Sequence, residues 1–81
     1  MSHSKVYYTE LSRAVVHAAN CLQYDNAAAL LRLGVAYGPN DGVAPELVGD
    51  AVCSMQFYES MGDQAYLEAA LYYLESYLSS K

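Results

Sequence analysis

Apolar and polar positions along the chain alternate with the period of an α-helix, and nowhere with the two-residue period of a strand. The plainest stretch is 64–81. Leu67, Ala70, Leu71, Leu74 and Leu78 form one apolar stripe, and Tyr66, Ala69, Tyr73 and Tyr77 form a second beside it. Glu68, Tyr72, Glu75 and Ser79 fill the remaining, wettable face. One stripe needs a core. The second needs another helix, another subunit or a bound peptide.

Three further helices are expected upstream. Over 5–22, Tyr7, Tyr8, Leu11, Ala14, Val15, Ala18 and Leu22 fall on one face, with Thr9, Arg13, Val16 and Asn20 round the other side. Over 26–37, capped by Asp25 or Asn26, the lining residues are Ala27, Leu30, Leu31 and Gly34. A glycine inside a helix costs about 1 kcal/mol relative to alanine, so Gly34 marks either close approach of a neighbour or early fraying. The alanine run 27–29 makes a thin helix that a partner can approach. Over 45–61, opened by Pro45, Leu47, Val48, Ala51, Met55 and Tyr58 turn inward, while Asp50, Cys53 and Phe57 point elsewhere.

The breaks are Gly38-Pro39-Asn40-Asp41-Gly42 and Met61-Gly62-Asp63, where glycine ends one helix and Asp63 caps the next. The predicted fold is all-α: a single domain, 1–81, with a frayed tail at 1–4, a first helical hairpin at 5–37, a turn at 38–44 and a second hairpin at 45–79. Short links make consecutive helices antiparallel neighbours.

Composition adds a surplus. Of 81 residues, 54% are hydrophobic and 16% charged, whereas a domain of this size hides only roughly 60–65% of its unfolded surface. Some apolar area is therefore expected at the surface or under a second chain. The formal charge of −5, with Lys5, Arg13, Arg32 and Lys81 scattered, argues against nucleic acid and against anionic membranes as partners. No apolar run approaches the roughly 20 residues of a membrane span. The segment 1–13 is polar, unlike a signal peptide, and two cysteines, Cys21 and Cys53, make no disulfide framework. A cytoplasmic location is expected.

Chemistry is sparse. His17 and Cys21 stand four apart on one helix, a spacing for two zinc ligands, but no set completes them. Met1-Ser2-His3 could wrap Cu(II) or Ni(II) with a free amino terminus; a plain tail is the simpler reading. Neither a phosphate-binding loop nor a dinucleotide motif is present, and no nucleophile, base and orienting group come together. No catalytic residue, metal or cofactor is expected, and the chain reads as a protein other than an enzyme.

In the second half, Tyr58 precedes the turn, Gly62-Asp63 makes it, and Ala70 and Leu74 run along the following helix. On these residues the segment 47–78 resembles a tetratricopeptide (TPR) helical hairpin. It departs in Gln64-Ala65-Tyr66, read as lengthening the turn, in lacking the family's aromatic at its usual tryptophan position, and in having no closing proline. The first half matches in outline only, with Asp25-Asn26 in place of Gly-Asp. The resemblance implies a protein-binding scaffold, such as the small TPR-like chaperones that hold secretion-system subunits.

Tyrosine combines a large contact area with a hydroxyl that tolerates water, which suits interfaces. The alternative is that the tyrosines pack within the domain with their hydroxyls at the rim. The first expectation is a non-enzymatic chaperone- or adaptor-like module. It would bind an amphipathic helix, or a second copy of itself, through Phe57, Met61, Tyr66, Tyr73 and Tyr77. Two other readings stay open: a small homodimeric sensor or enzyme with a pocket between subunits, and an acidic inhibitor or immunity-type protein covering a basic partner.

Overall fold

In the computed structural model, which describes residues 3–39 and 45–80, the chain folds into four helices with no strand among the described residues. They are α1 (His3–Asn20), α2 (Tyr24–Ala36), α3 (Glu46–Met61) and α4 (Gln64–Ser79). The all-α expectation holds. Helix α1 begins at His3, inside the segment assigned to the tail, and stops at Asn20.

The end of α1 differs most from the expected course. Leu22 does not continue the core face. It adopts the left-handed conformation, φ 63°, and its side chain is 73% exposed. The Gln23 N–H reaches back to the Ala18 carbonyl at 2.9 Å and the Leu22 N–H to that of Ala19 at 3.0 Å. That pair of bonds closes a helix through a left-handed residue, a position glycine usually fills. Helix α2 then starts at Tyr24, two residues early. Asp25 and Asn26 lie inside its first turn, and Gln23 precedes it with no side-chain cap.

The second hairpin follows local chemistry more closely. Pro45 stands just outside α3 rather than as its first residue. Gly62 takes φ 72° and donates its N–H to the Tyr58 carbonyl at 2.7 Å. The Asp63 carboxylate then accepts the Ala65 N–H at 3.0 Å, capping α4. Because α4 already begins at Gln64, the turn is only Gly62-Asp63, and Gln64-Ala65-Tyr66 do not lengthen it.

Each helix packs on two others: α1 on α2 and α4, and α3 on α4 and α2. Tyr7 and Leu11 of α1 meet Gly34 near the end of α2, so these two helices run antiparallel. Lys5 and Thr9 share a cleft with Tyr77 and Leu78, so the start of α1 lies beside the end of α4. The two hairpins thus close into a ring around one core, in which Val15, Leu31, Val48, Met55 and Leu74 are fully buried. Ser12 and Ala19 join them on the inner face of α1, and Val16 packs against the core although its spacing predicts the other side. Ala14, assigned inward, is exposed.

Gly34 serves close approach, not fraying. A methyl group there would come within 2.7 Å of Leu11 Cδ2. The Tyr7 hydroxyl donates to the Gly34 carbonyl at 2.6 Å, satisfying one of the carbonyls a helix end leaves without an intrahelical partner. No helix among the described residues is long and apolar enough to cross a membrane.

Candidate functional site

The five residues singled out for binding do not form one continuous face. Phe57 of α3 and Tyr66 of α4 flank the tight Gly62-Asp63 turn, and their rings stack with centroids 5.3 Å apart and planes 26° from parallel. Phe57 is 53% exposed, and Met61, one turn further along α3, is 64% exposed. Tyr66 is half-buried. These three make an open apolar patch at the turn end of the second hairpin. A shallow hollow lined by Gln56, Phe57 and Ser60 adjoins it, with a volume of about 250 Å³.

Phe57 stays outside for a reason of register. Val48, Ala51 and Met55 turn inward from α3, and at 100° per residue Phe57 falls nearly opposite Met55, along with Cys53 and Asp50. The short turn brings the first part of α4 back beside it, so Tyr66 covers one side of the ring and leaves the other open.

Tyr73 and Tyr77 sit differently. Both are half-buried and packed against the core. Tyr73 leans edge-on toward exposed Tyr72, ring centres 6.0 Å apart. Tyr77 lies at the far end of α4, where it lines a cleft of about 400 Å³ together with Lys5, Thr9, Leu78 and Ser80. The structure therefore joins Phe57, Met61 and Tyr66 and sets Tyr73 and Tyr77 apart from them.

Sequence reasoning passed over two exposed apolar residues, Leu33 of α2 and Tyr37 just after its end. The signal available was the composition of α2 itself: between Tyr24 and Tyr37 only Asp25 and Arg32 carry charge.

The remaining candidate chemistry stays local. Cys21 Sγ lies 3.8 Å from His17 Nε2 on an exposed surface. Among the described residues, no three His, Cys, Asp or Glu side chains gather as a metal site would require, so Cys53 is not brought to that pair. The proposed Met1-Ser2-His3 chelate lies outside the residues whose side chains are described. Charge pairs are superficial: Arg13 with Glu10 at 3.0 Å along α1, and Arg32 with Glu59 at 3.4 Å between α2 and α3. Exposed pairs of this kind contribute about 0–1 kcal/mol each. Compared with protein-family models, curated proteins and solved structures, the chain matches none.

Proposed function

We propose that this chain is a non-enzymatic binding module, chaperone- or adaptor-like, that holds an amphipathic helix of another protein. The observation that carries the reading is the Phe57–Tyr66 ring stack, open on one side with Met61 beside it. Aromatic rings and a thioether give large, adaptable contact area, and an apolar helix face docks on such a patch through side chains one turn apart. The likeness of the second hairpin to a TPR unit points the same way. Tyr73 and Tyr77 serve in this reading as packing that holds α4 in place, since both rest on the core.

Phe57→Asp and Met61→Asp test it, because both positions are exposed and a charge there should leave the helices intact. In affinity capture from cells that make the protein, the wild type should retain a partner that Phe57→Asp weakens about thirtyfold or more, the effect of losing a central interface residue. Tyr72→Ser, on the outer face of α4, should leave capture intact. Equal capture by wild type and Phe57→Asp, with circular dichroism showing both folded, would refute the proposal. Binding that instead falls steeply with salt and ignores Phe57 would favour the acidic-inhibitor reading, which rests on the −5 charge.

A further inference from the structure

At the end of α1 the fold sets two metal donors side by side. His17 and Cys21, four residues apart, project from one face of the helix, one above the other. Both are exposed, and Cys21 Sγ stands 3.8 Å from His17 Nε2. That separation is the informative quantity. With bonds of about 2.3 Å to sulfur and about 2.0–2.1 Å to nitrogen, two ligands of a tetrahedral zinc ion stand about 3.6 Å apart. The pair already spans one edge of such a tetrahedron to within a few tenths of an ångström.

The surroundings favour a cation. Helix α1 stops at Asn20, and the carbonyls of its last turn carry the negative end of the helix dipole. The nearest basic side chain upstream on the helix, Arg13, is held by Glu10 at 3.0 Å. What a single chain lacks is a third donor, since among the described residues no three His, Cys, Asp or Glu side chains gather. Structural zinc sites close with four protein ligands. One chain supplies half a set.

We propose that two copies of the chain complete the set, each giving His17 and Cys21 to one shared zinc ion on a two-fold axis. The donors are then two thiolates and two imidazoles, a composition that recurs in structural zinc sites. The geometry closes as well. A two-fold axis through a tetrahedral ion exchanges sulfur with sulfur and nitrogen with nitrogen, and the two edges it exchanges lie at right angles. Each edge follows its own helix from His17 toward Cys21, so the two α1 helices cross steeply and meet only near their ends. Ala14, one turn before His17, is exposed there and presents only a methyl group. Leu22, the exposed apolar residue after Cys21, lies at the rim of the contact. So local a meeting falls well short of the roughly 800 Å² per partner of a stable complex, and the ion supplies what the area does not. Zinc binds the thiolate form, so assembly releases two protons, one from each Cys21 thiol, while both imidazoles bind neutral.

The test uses the full chain, with a phosphine reductant to keep the thiols free and zinc or cobalt as the only metal. In analytical ultracentrifugation the mass should rise from 8.9 kDa to twice that value as zinc is added, with the break at one ion per two chains, and a chelator should reverse it. Cobalt in place of zinc should give the visible bands of a tetrahedral ion and the near-ultraviolet charge transfer of a cobalt–thiolate bond. His17→Ala and Cys21→Ser should each raise the zinc concentration for half-dimerisation by about tenfold or more, because even loss of a partner outside the ligand set costs about 10–100-fold. Cys53→Ser and His3→Ala, which remove the chain's other cysteine and other histidine, should change neither reading, with circular dichroism confirming that each variant is folded. A chain that stays monomeric at saturating zinc overturns the proposal, as does one ion bound per chain, or a dimer indifferent to His17→Ala and Cys21→Ser. None of these variants touches Phe57, Met61 or Tyr66, so this outcome and that of the partner-capture experiment are separable.

Discussion

Leu22 occupies backbone space that costs a bulky L-residue about 1–2 kcal/mol, and its side chain gains little in return because it is exposed. Glycine would remove the strain and give back part of the gain through a more flexible unfolded chain. Leu22→Gly should therefore stabilise the protein by about 0.5–1 kcal/mol, read as a higher urea midpoint with unchanged slope. Ser12 is a second misfit at this scale. Its hydroxyl is fully buried with no hydrogen-bond partner among the described residues, and a buried polar group left so costs about 1–3 kcal/mol. Ser12→Ala, which also improves helix propensity, should raise the midpoint; a clear loss of stability would mean that the hydroxyl is bonded after all. Neither residue could be identified from the sequence. A leucine at helical spacing reads as one more core position, and a serine between Leu11 and Arg13 as one more surface position.

Whole elements were more legible where their ends are set by local chemistry. Gly62 and Asp63 announce a left-handed stop and a carboxylate cap, and both perform those roles with the expected bonds. The α1–α2 junction has no glycine, so its turn and the two-residue advance of α2 were hidden. At α2 the sequence offered two meanings for Gly34, and only the approach of Leu11 and the Tyr7 hydroxyl decides between them. The candidate site divided in the same way. The outward register of Phe57 could be read from α3 alone, but its stacking on Tyr66, and the packing of Tyr73 and Tyr77 on the core, depend on how helices distant in sequence meet. Gly34→Ala measures that meeting. Helix propensity favours the alanine by about 1 kcal/mol, whereas pushing Leu11 aside costs about 1–3 kcal/mol, so the variant should be less stable by about 1 kcal/mol. Because the two sites touch, adding Leu11→Ala to Gly34→Ala should cost less than Leu11→Ala does in the wild type. Strictly additive effects would place the strain elsewhere.

At the scale of the molecule, the accessible surface is 5153 Å², against about 4,800 Å² for an average monomer of this mass. The excess is less than half of one side of a standard interface. What sets this surface apart is therefore where its apolar groups lie, at Phe57 and Met61 and along α2, and not the total area. The way the helices share one core bears on folding. Leu31 of α2 and Leu74 of α4 are both fully buried in one cluster that all four helices share, and α1 closes the ring against α4. Either leucine cut to alanine should cost about 2–5 kcal/mol, a large part of the total of about 4–12 kcal/mol expected for a chain of this length. If the ring is one cooperative unit, that loss is shared by every helix. In Leu74→Ala the most protected amides of α2 should exchange faster by the same factor as those of α4, and Leu31→Ala should show the mirror result. Amides of α2 that keep wild-type protection in Leu74→Ala would mean that the hairpins fold separately, and that their contact is a docking of two units and not a common core.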